Sequence, residues 1–440
     1  MSLTVAMVVD RLTLGGTEKG LVTYAAALDR ERFRPRVVCR LGLGPRAEAL
    51  RAAGVPFASA DGDPRRLREL LDGAALVHLW RGGTGARGVA GAAREAGAAA
   101  VVETDVFGLL DPSAPAVDCR LFLSRTCAVR YRRQAGLSPR HFHLRHRVLP
   151  LPLDHAMLAG AAPAREEAKR RLGLDPALPV VGRLGRADDH KWRNLLVDML
   201  PELARLAPDA QVLLVGATSS KRRRLERRGV LGRCVLVDPV SSELELAALY
   251  AACDVFVTAS ELGESQGLAI AEAMALGSPV VTCATPWVDN AQVELVEHGR
   301  TGLLASHPRA FAEAVATLLH DGALRSRLGA AARERVLRRL DSGTLTGRLE
   351  ALYTALLEGG APPREWEPGV TELEAFEEEC SRAPHAPEYR TLTAPERLTV
   401  RAARERERLR RGVDLLRPTM LPLAWSMLRA RVAGAGAGRR

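Results

Sequence analysis

Residues 264–272 read ESQGLAIAE, two carboxylates enclosing an otherwise apolar stretch. Glutamate is an acceptor with two oxygens, suited to gripping the hydroxyls of a sugar or a ribose. The apolar run VFVTA (255–259) just before them reads as a strand, so Glu264 falls in the loop that follows. Gly267 and Leu268 then open a helix, and Glu272 projects from its first turns. Backbone amides at such a helix start favour phosphate. On this reading both carboxylates line one site without touching. The alternative is a helix-capping acid plus an unrelated surface glutamate.

Two cations follow an earlier strand. VVGRLGRADDHKWRN places Arg183 and Lys191 in the loop leaving VVGRLG (180–185). A diphosphate suits such a pair, with arginine binding as a fork and lysine as a point charge. Two ordinary surface cations are the competing reading, weaker for Lys191 because the chain has only four lysines among 63 basic residues. A third element, DRLTLGGTEKG, sets Gly15 and Gly16 between the first strand and a helix. A Gly-Gly turn lets a ligand approach the backbone. It lacks the spacing of a dinucleotide fingerprint, and many such pairs are only turns.

These pieces need a frame. Short β-branched runs alternate with Ala/Leu/Arg helical patterns in two series. The first is 5–9, 37–39, 75–80, 99–103 and 119–124; the second is 180–185, 212–216, 234–238, 255–259, 279–283 and 302–305. Near-continuous apolar strands with helices between them predict parallel sheets covered on both faces. The fold class is therefore α/β, with two doubly wound domains facing across a cleft and a helical extension. The predicted boundaries are 1–155, 156–343, a closing helix over 344–360, and a tail over 361–440 that is acidic to 390 and basic beyond. The seam lies near LPLPLDHAMLAGAAPA (149–164). Ligands in such sheets bind off the carboxyl ends of the strands, where all three elements sit.

Composition narrows the partners. The formal charge of +11 is carried almost wholly by arginine in an Ala/Gly-rich chain, which reads as genome composition rather than as a nucleic-acid surface. The seven cysteines are odd in number and form no CxxC pair, so buried free thiols in a reducing compartment are expected. The N-terminus has no signal-peptide pattern, and no apolar run is long enough for a membrane span. A cytoplasmic protein is expected, in peripheral contact with the inner face of a membrane if the basic tail anchors it.

Taken together, these residues resemble the retaining GT-B glycosyltransferases of family 4, the group 1 transferases. The matching elements are Gly15-Gly16-x-Glu18; Gly182-Arg183-Leu184 with Lys191; Glu264-x7-Glu272 followed by EAMALGSPVV; and VELVEHGRTGLLA. The match covers roughly residues 1–358, specifically in its second half and loosely in its first. The resemblance implies a nucleotide-diphosphate sugar on the second domain and transfer to an acceptor hydroxyl. Arg183 and Lys191 would neutralise the diphosphate, Glu272 would hold the ribose, and Glu264 would steady the transferred sugar. Amides near Gly267 and Leu268 would bind the distal phosphate. Val240 would lie beside the base, and Gly15 and Gly16 would approach the donor from the other domain. No cofactor and no metal are implied, since cations take the metal's part. Asp61-Gly62-Asp63, which looks like a metal-binding DxD, precedes a helix in the wrong domain and reads as a turn and cap.

The chain also departs from the family. Gln266 replaces an aromatic, which predicts altered donor-sugar packing. TPWVDNAQ (285–292) replaces a Gly-Gly, making Trp287, Asp289 and Asn290 candidates for a sugar or acceptor pocket. The usual first-domain histidine is missing from VVETDVFG, which offers Glu103 and Asp105 instead, with His78 as a candidate substitute or else a solvated loop residue. In the tail, RAARERERLRR and LLRPTMLPLAWSMLRARV suggest an interfacial anchor or a docked helix. A non-catalytic nucleotide-sugar scaffold, a GT-B epimerase and a phosphorylase are the other classes compatible with this chain. The sugar, base, acceptor and oligomeric state are left open by the sequence.

Overall fold

The computed structural model describes residues 2–82, 88–110, 116–285 and 289–363. Two all-parallel sheets organise it. The first has the order β3-β2-β1-β4-β5-β6-β7, built from Leu3–Val9 (β1), Phe33–Cys39 (β2), Phe57–Ser59 (β3), Leu76–Arg81 (β4), Ala100–Asp105 (β5), Cys119–Phe122 (β6) and His146–Val148 (β7). The second has the order β10-β9-β8-β11-β12-β13, built from Val180–Arg183 (β8), Gln211–Val215 (β9), Cys234–Val237 (β10), Val255–Thr258 (β11), Val280–Thr282 (β12) and Gly302–Leu304 (β13). In each sheet the order reverses beside the first strand, the switch point where doubly wound sheets take ligands.

All eleven sequence-predicted runs are strands. Two were missed: the edge strands β3 (FAS) and β7 (HRV), which contain no β-branched apolar run. The interior strands read as unbroken apolar runs because helices cover both faces, and residues such as Val5, Met7, Val181 and Phe256 are fully buried.

The two halves are tied together by apolar packing. One buried cluster runs from Val5 and Met7 through Leu149, Leu151 and Leu153 of the connecting segment to Ile270 and Met274, and on to Leu345, Leu349 and Tyr353. The helix Ser342–Leu357 crosses back to the first domain. Its Glu350 accepts from the Asp29 amide at 2.7 Å and its Thr354 hydroxyl accepts from Arg32 at 2.7 Å. Arg147 is buried and donates to the carbonyls of Pro362 and Pro363, holding this segment against the first domain. The acidic and basic tail segments (364–440) and Trp287 lie outside the described residues.

Asp63 caps the helix Pro64–Leu71 by accepting from the Arg65 amide at 2.8 Å, so the DxD-like triplet is a turn and cap. Six described cysteines are free, five of them buried. Among the described residues no helix is long and apolar enough to cross a membrane.

Candidate functional site

The cleft between the sheets is built at the start of one helix, Leu268–Ala275. Gly267 caps it at φ +89°, in the left-handed region where a side chain is strained. That conformation turns the β11 loop sharply enough to leave Glu264 outside the helix and Glu272 inside it. Glu272 is buried and Glu264 half-buried. The glycine loop of the first domain packs on the same spot. A Cβ on Gly16 would stand 3.2 Å from Leu268 Cδ1, so a larger residue would crowd that side chain.

Each carboxylate has a cation. Lys191 Nζ lies 2.9 Å from Glu264 Oε2, within the second domain. Glu272 Oε2 accepts from the Tyr250 hydroxyl at 2.8 Å, and its Oε1 lies 2.7 Å from Lys19 Nζ, which reaches over from the first domain. Lys19 also lies 2.6 Å from Glu243, whose other oxygen meets Arg46, again from the first domain. Burial pulls the Lys19 pKa down, but Glu272 and Glu243 outweigh it and leave it above the ordinary lysine value. Lys19, Arg46, Glu243 and Tyr250 escaped the sequence reading. Lys19 carried one visible signal, a rare lysine three residues beyond the glycine pair. Nothing in the sequence linked it to its partners, 224 and 253 residues away.

Arg183 is not a loop cation. It is the last residue of β8 and buried, with its guanidinium stacked 3.8 Å from the Trp192 ring centroid. It donates to the carbonyls of Val215 at 3.0 Å and Lys191 at 2.8 Å, so it braces the backbone that carries Lys191. Burial lowers its pKa to about 9, with Glu264 offsetting part of that cost. Its Nε is buried with no hydrogen-bond partner among the described residues, a donor left over for a ligand. Val240 is half-buried in the loop after β10, just before the helix bearing Glu243.

Several expected sugar or acceptor residues do other work. Gln266 is buried and clasps the linker, accepting from the Leu151 amide at 2.6 Å and donating to the Leu151 carbonyl at 2.9 Å. It holds the hinge rather than a sugar. Asp289 pairs with Arg130 of the first domain and accepts from Ser265 at 2.8 Å, while Asn290 accepts from the Thr285 amide at 2.7 Å. Asp289 thereby ties the second domain to the first, and Asn290 is spent on the Thr285 backbone. Glu294 extends that interface by placing its carboxylate at the start of the helix Arg125–Gln134. There it accepts the Thr126 amide and hydroxyl, both at 2.9 Å, in the position a helix dipole favours.

His78 is neither a sugar contact nor a solvated loop residue. It lies inside β4, fully buried, between the Tyr353 hydroxyl at 2.6 Å and Thr104 Oγ1 at 2.8 Å. Burial lowers its pKa to about 3, so it is neutral. Glu103 and Asp105 are buried as well, in a cluster with Arg81, Arg120 and Tyr131. Arg120 Nη2 lies 2.6 Å from Glu103, and Asp105 accepts the Gly108 amide at 2.9 Å. Burial raises the Asp105 pKa to about 6 despite Arg81. The cluster shapes the ends of β4 and β5 and presents no free carboxylate to the cleft.

Two facing doubly wound sheets with the ligand elements at their shared cleft are the GT-B architecture. A structure from Anabaena, Alr3699/HepE in complex with UDP and glucose, superposes with a TM-score of 0.67 at 19% identity over 80% of this chain and 99% of that one. The family model described as glycosyl transferases group 1 matches residues 175–321, the span that holds the second sheet. The D-inositol 3-phosphate glycosyltransferase of Corynebacterium efficiens is 35% identical over 216 residues, 46% of this chain and 49% of its own length. The phosphatidyl-myo-inositol mannosyltransferase of Mycobacterium leprae is 31% identical over 181 residues, 40% of this chain and 47% of its own. The chain thus spans about half the length of the curated relatives it matches.

Proposed function

We propose that the protein transfers a hexose-type sugar from a nucleoside diphosphate to an acceptor hydroxyl, with retention at the anomeric carbon and without a metal. The observation that carries this reading is the convergence of Glu264, Lys191, Glu272 and Tyr250 at one helix start, under the glycine loop of the other domain. In the reaction the bond from the anomeric carbon to the diphosphate breaks and one to the acceptor oxygen forms. The acceptor proton passes to the departing phosphate. The demanding step is departure of the charged diphosphate, and fixed cations aimed at developing charge supply the largest catalytic term.

Lys191 supplies that charge, positioned by Arg183 through the Lys191 carbonyl, and the spare Arg183 Nε adds a donor. Amides at Gly267 and Leu268 take the distal phosphate. Glu272, fixed by Tyr250, takes the ribose diol, with Val240 beside the base and Gly15 and Gly16 closing from above. Glu264 contacts the transferred sugar. No cofactor beyond the nucleotide sugar enters this scheme. Glu272→Ala is expected to weaken nucleoside-diphosphate binding by about tenfold to a hundredfold, the worth of a good charged hydrogen bond or two. Calorimetric titration with UDP-, GDP-, ADP- and dTDP-sugars checks this, and unchanged affinity for a donor that binds wild type would remove Glu272 from the ribose site.

Relatives named for inositol phosphate and phosphatidyl-inositol support a polar headgroup or glycolipid acceptor, in envelope polysaccharide or glycolipid synthesis at the inner face of a membrane. Residues 391–440 carry twelve arginines and four acids, which fits contact with anionic lipid. Deleting 391–440 is expected to abolish sedimentation with phosphatidylglycerol vesicles at low salt; retained sedimentation would rule out the tail as the anchor.

A further inference from the structure

Among the described residues, every ion pair that crosses from the first domain to the second has one polarity. The first domain supplies the cations Lys19, Arg46, Arg125 and Arg130, and the second supplies the carboxylates Glu243, Glu272, Asp289 and Glu294. Of these cations, Lys19 is the one that reaches a carboxylate of the candidate donor site. Its Nζ lies 2.7 Å from Glu272 Oε1 and 2.6 Å from Glu243 Oε2, with 14% of its side-chain surface exposed. It stands on the helix Gly16–Ala27, which the glycine loop opens. Burial pulls its pKa down, but Glu272 and Glu243 outweigh burial, so it stays charged through neutral pH.

Glu272 is therefore held from two sides. The Tyr250 hydroxyl donates to Oε2 at 2.8 Å from its own domain, and Lys19 donates to Oε1 from the other. A carboxylate has about four acceptor positions, two on each oxygen. Tyr250 and Lys19 take one on each oxygen and leave one on each, which matches the two neighbouring hydroxyls of a ribose. Such a paired contact needs the plane of the carboxylate fixed, and a single holder leaves it free to turn about its last bond. We propose that Lys19 is a positioning residue for donor binding: it fixes the Glu272 carboxylate from the first domain, so that the grip on the ribose is complete only when the two halves are closed. This rests on Glu272 being the ribose carboxylate. Glu243 and Arg46 support Lys19 in turn, since Glu243 holds the ammonium from its other side and Arg46 Nη1 lies 3.3 Å from the second oxygen of Glu243. Closure and ribose binding then favour each other, because a ligand shifts a protein toward the state it binds better. The same closure sets the glycine loop over the donor.

Lys19→Met keeps the length and removes the charge. Wild type, Lys19→Met, Glu272→Ala and the double variant, all full length, are titrated calorimetrically with UDP, GDP, ADP and dTDP, and the tightest of the four is compared. Lys19→Met is expected to weaken that binding about tenfold, the worth of one charge-assisted hydrogen bond. In the Glu272→Ala background the same substitution should cost no more than about twofold, because Lys19 then has no ribose carboxylate to hold. An equal loss in both backgrounds would mean that Lys19 meets the nucleotide itself, and it overturns the positioning role. Unchanged or tighter binding by Lys19→Met overturns it too, and if Glu272→Ala still weakens binding the ribose assignment survives. Unchanged binding by Glu272→Ala removes the ribose assignment and this proposal with it, as does binding of none of the four by wild type. Lys19→Gln carries the same expectations should the methionine variant not fold. Saturated with the nucleotide, Lys19→Met should also show a larger radius of gyration by small-angle scattering than saturated wild type. A lysine that only stabilised its own domain would leave that radius unchanged, and equal radii would break the link to closure.

Discussion

Glu264→Gln is expected to lower kcat by about a hundredfold to a thousandfold while leaving donor affinity within a few-fold of wild type, the range seen when one preorganised electrostatic group is removed. The substitution keeps the shape, removes the charge and turns one acceptor oxygen into an NH2 donor. Two things are lost with it. The first is the carboxylate that steadies positive charge developing on the sugar ring. The second is the 2.9 Å anchor of Lys191, which then samples other rotamers instead of waiting on the leaving diphosphate. In the proposed scheme the ground-state nucleotide rests mainly on Glu272 and the helix-start amides, so its affinity should change little. Initial-rate kinetics with a saturating acceptor decide the matter. A loss confined to KM would make Glu264 a ground-state binding group and would undo its assigned role.

Glu103→Ala is expected to cost about 3–5 kcal/mol of stability, a large share of what holds a domain together. Glu103 is 2% exposed and sits between Arg81 and Arg120, themselves 5% and 2% exposed. Removing it strands two buried guanidiniums against the single carboxylate of Asp105, and Asp105 is already half-inclined to hold a proton near pH 6. Replacing one member of a buried pair is far costlier than replacing the pair, because the desolvated partner loses its compensation. Urea denaturation followed by circular dichroism measures the loss. A sugar-contacting Glu103 would give the opposite pattern, near-normal stability with impaired turnover, so the same variant separates the two roles. A folded, stable and inactive Glu103→Ala would return this residue to the acceptor site.

How much of this was legible beforehand differs from element to element. The strands could be read because a parallel strand buried on both faces must be apolar throughout, as in VAMVV and VFVTA. Glu264, Gly267 and Glu272 could be read because a strand, a tight loop and a helix start are local events, encoded within some twenty residues. Gly267 in particular must be glycine where the chain turns at positive φ. Edge strands β3 and β7 could not be read, since FAS and HRV lack the apolar run that marked even the three-residue β12 and β13.

The misassigned residues share one cause. His78, Glu103 and Asp105 look available in a sequence because polar side chains are usually exposed. Their burial depends on Tyr353, Arg81 and Arg120, and nothing local announces a partner 275 residues away such as Tyr353. Gln266 sits inside the motif that holds the two glutamates, yet it is spent on the backbone of Leu151. Arg183 was found by its motif but placed in the loop, because which face a strand's last residue takes is set by what packs over it, here Trp192. Thus the sequence by itself determined the two-sheet architecture and the strand-end positions of Glu264, Gly267 and Glu272, since these follow from patterns along the chain. Only the tertiary structure decided which charges face each other, above all Lys19 across the cleft from Glu272, because ion pairing depends on distance in space and leaves no mark on neighbours in sequence.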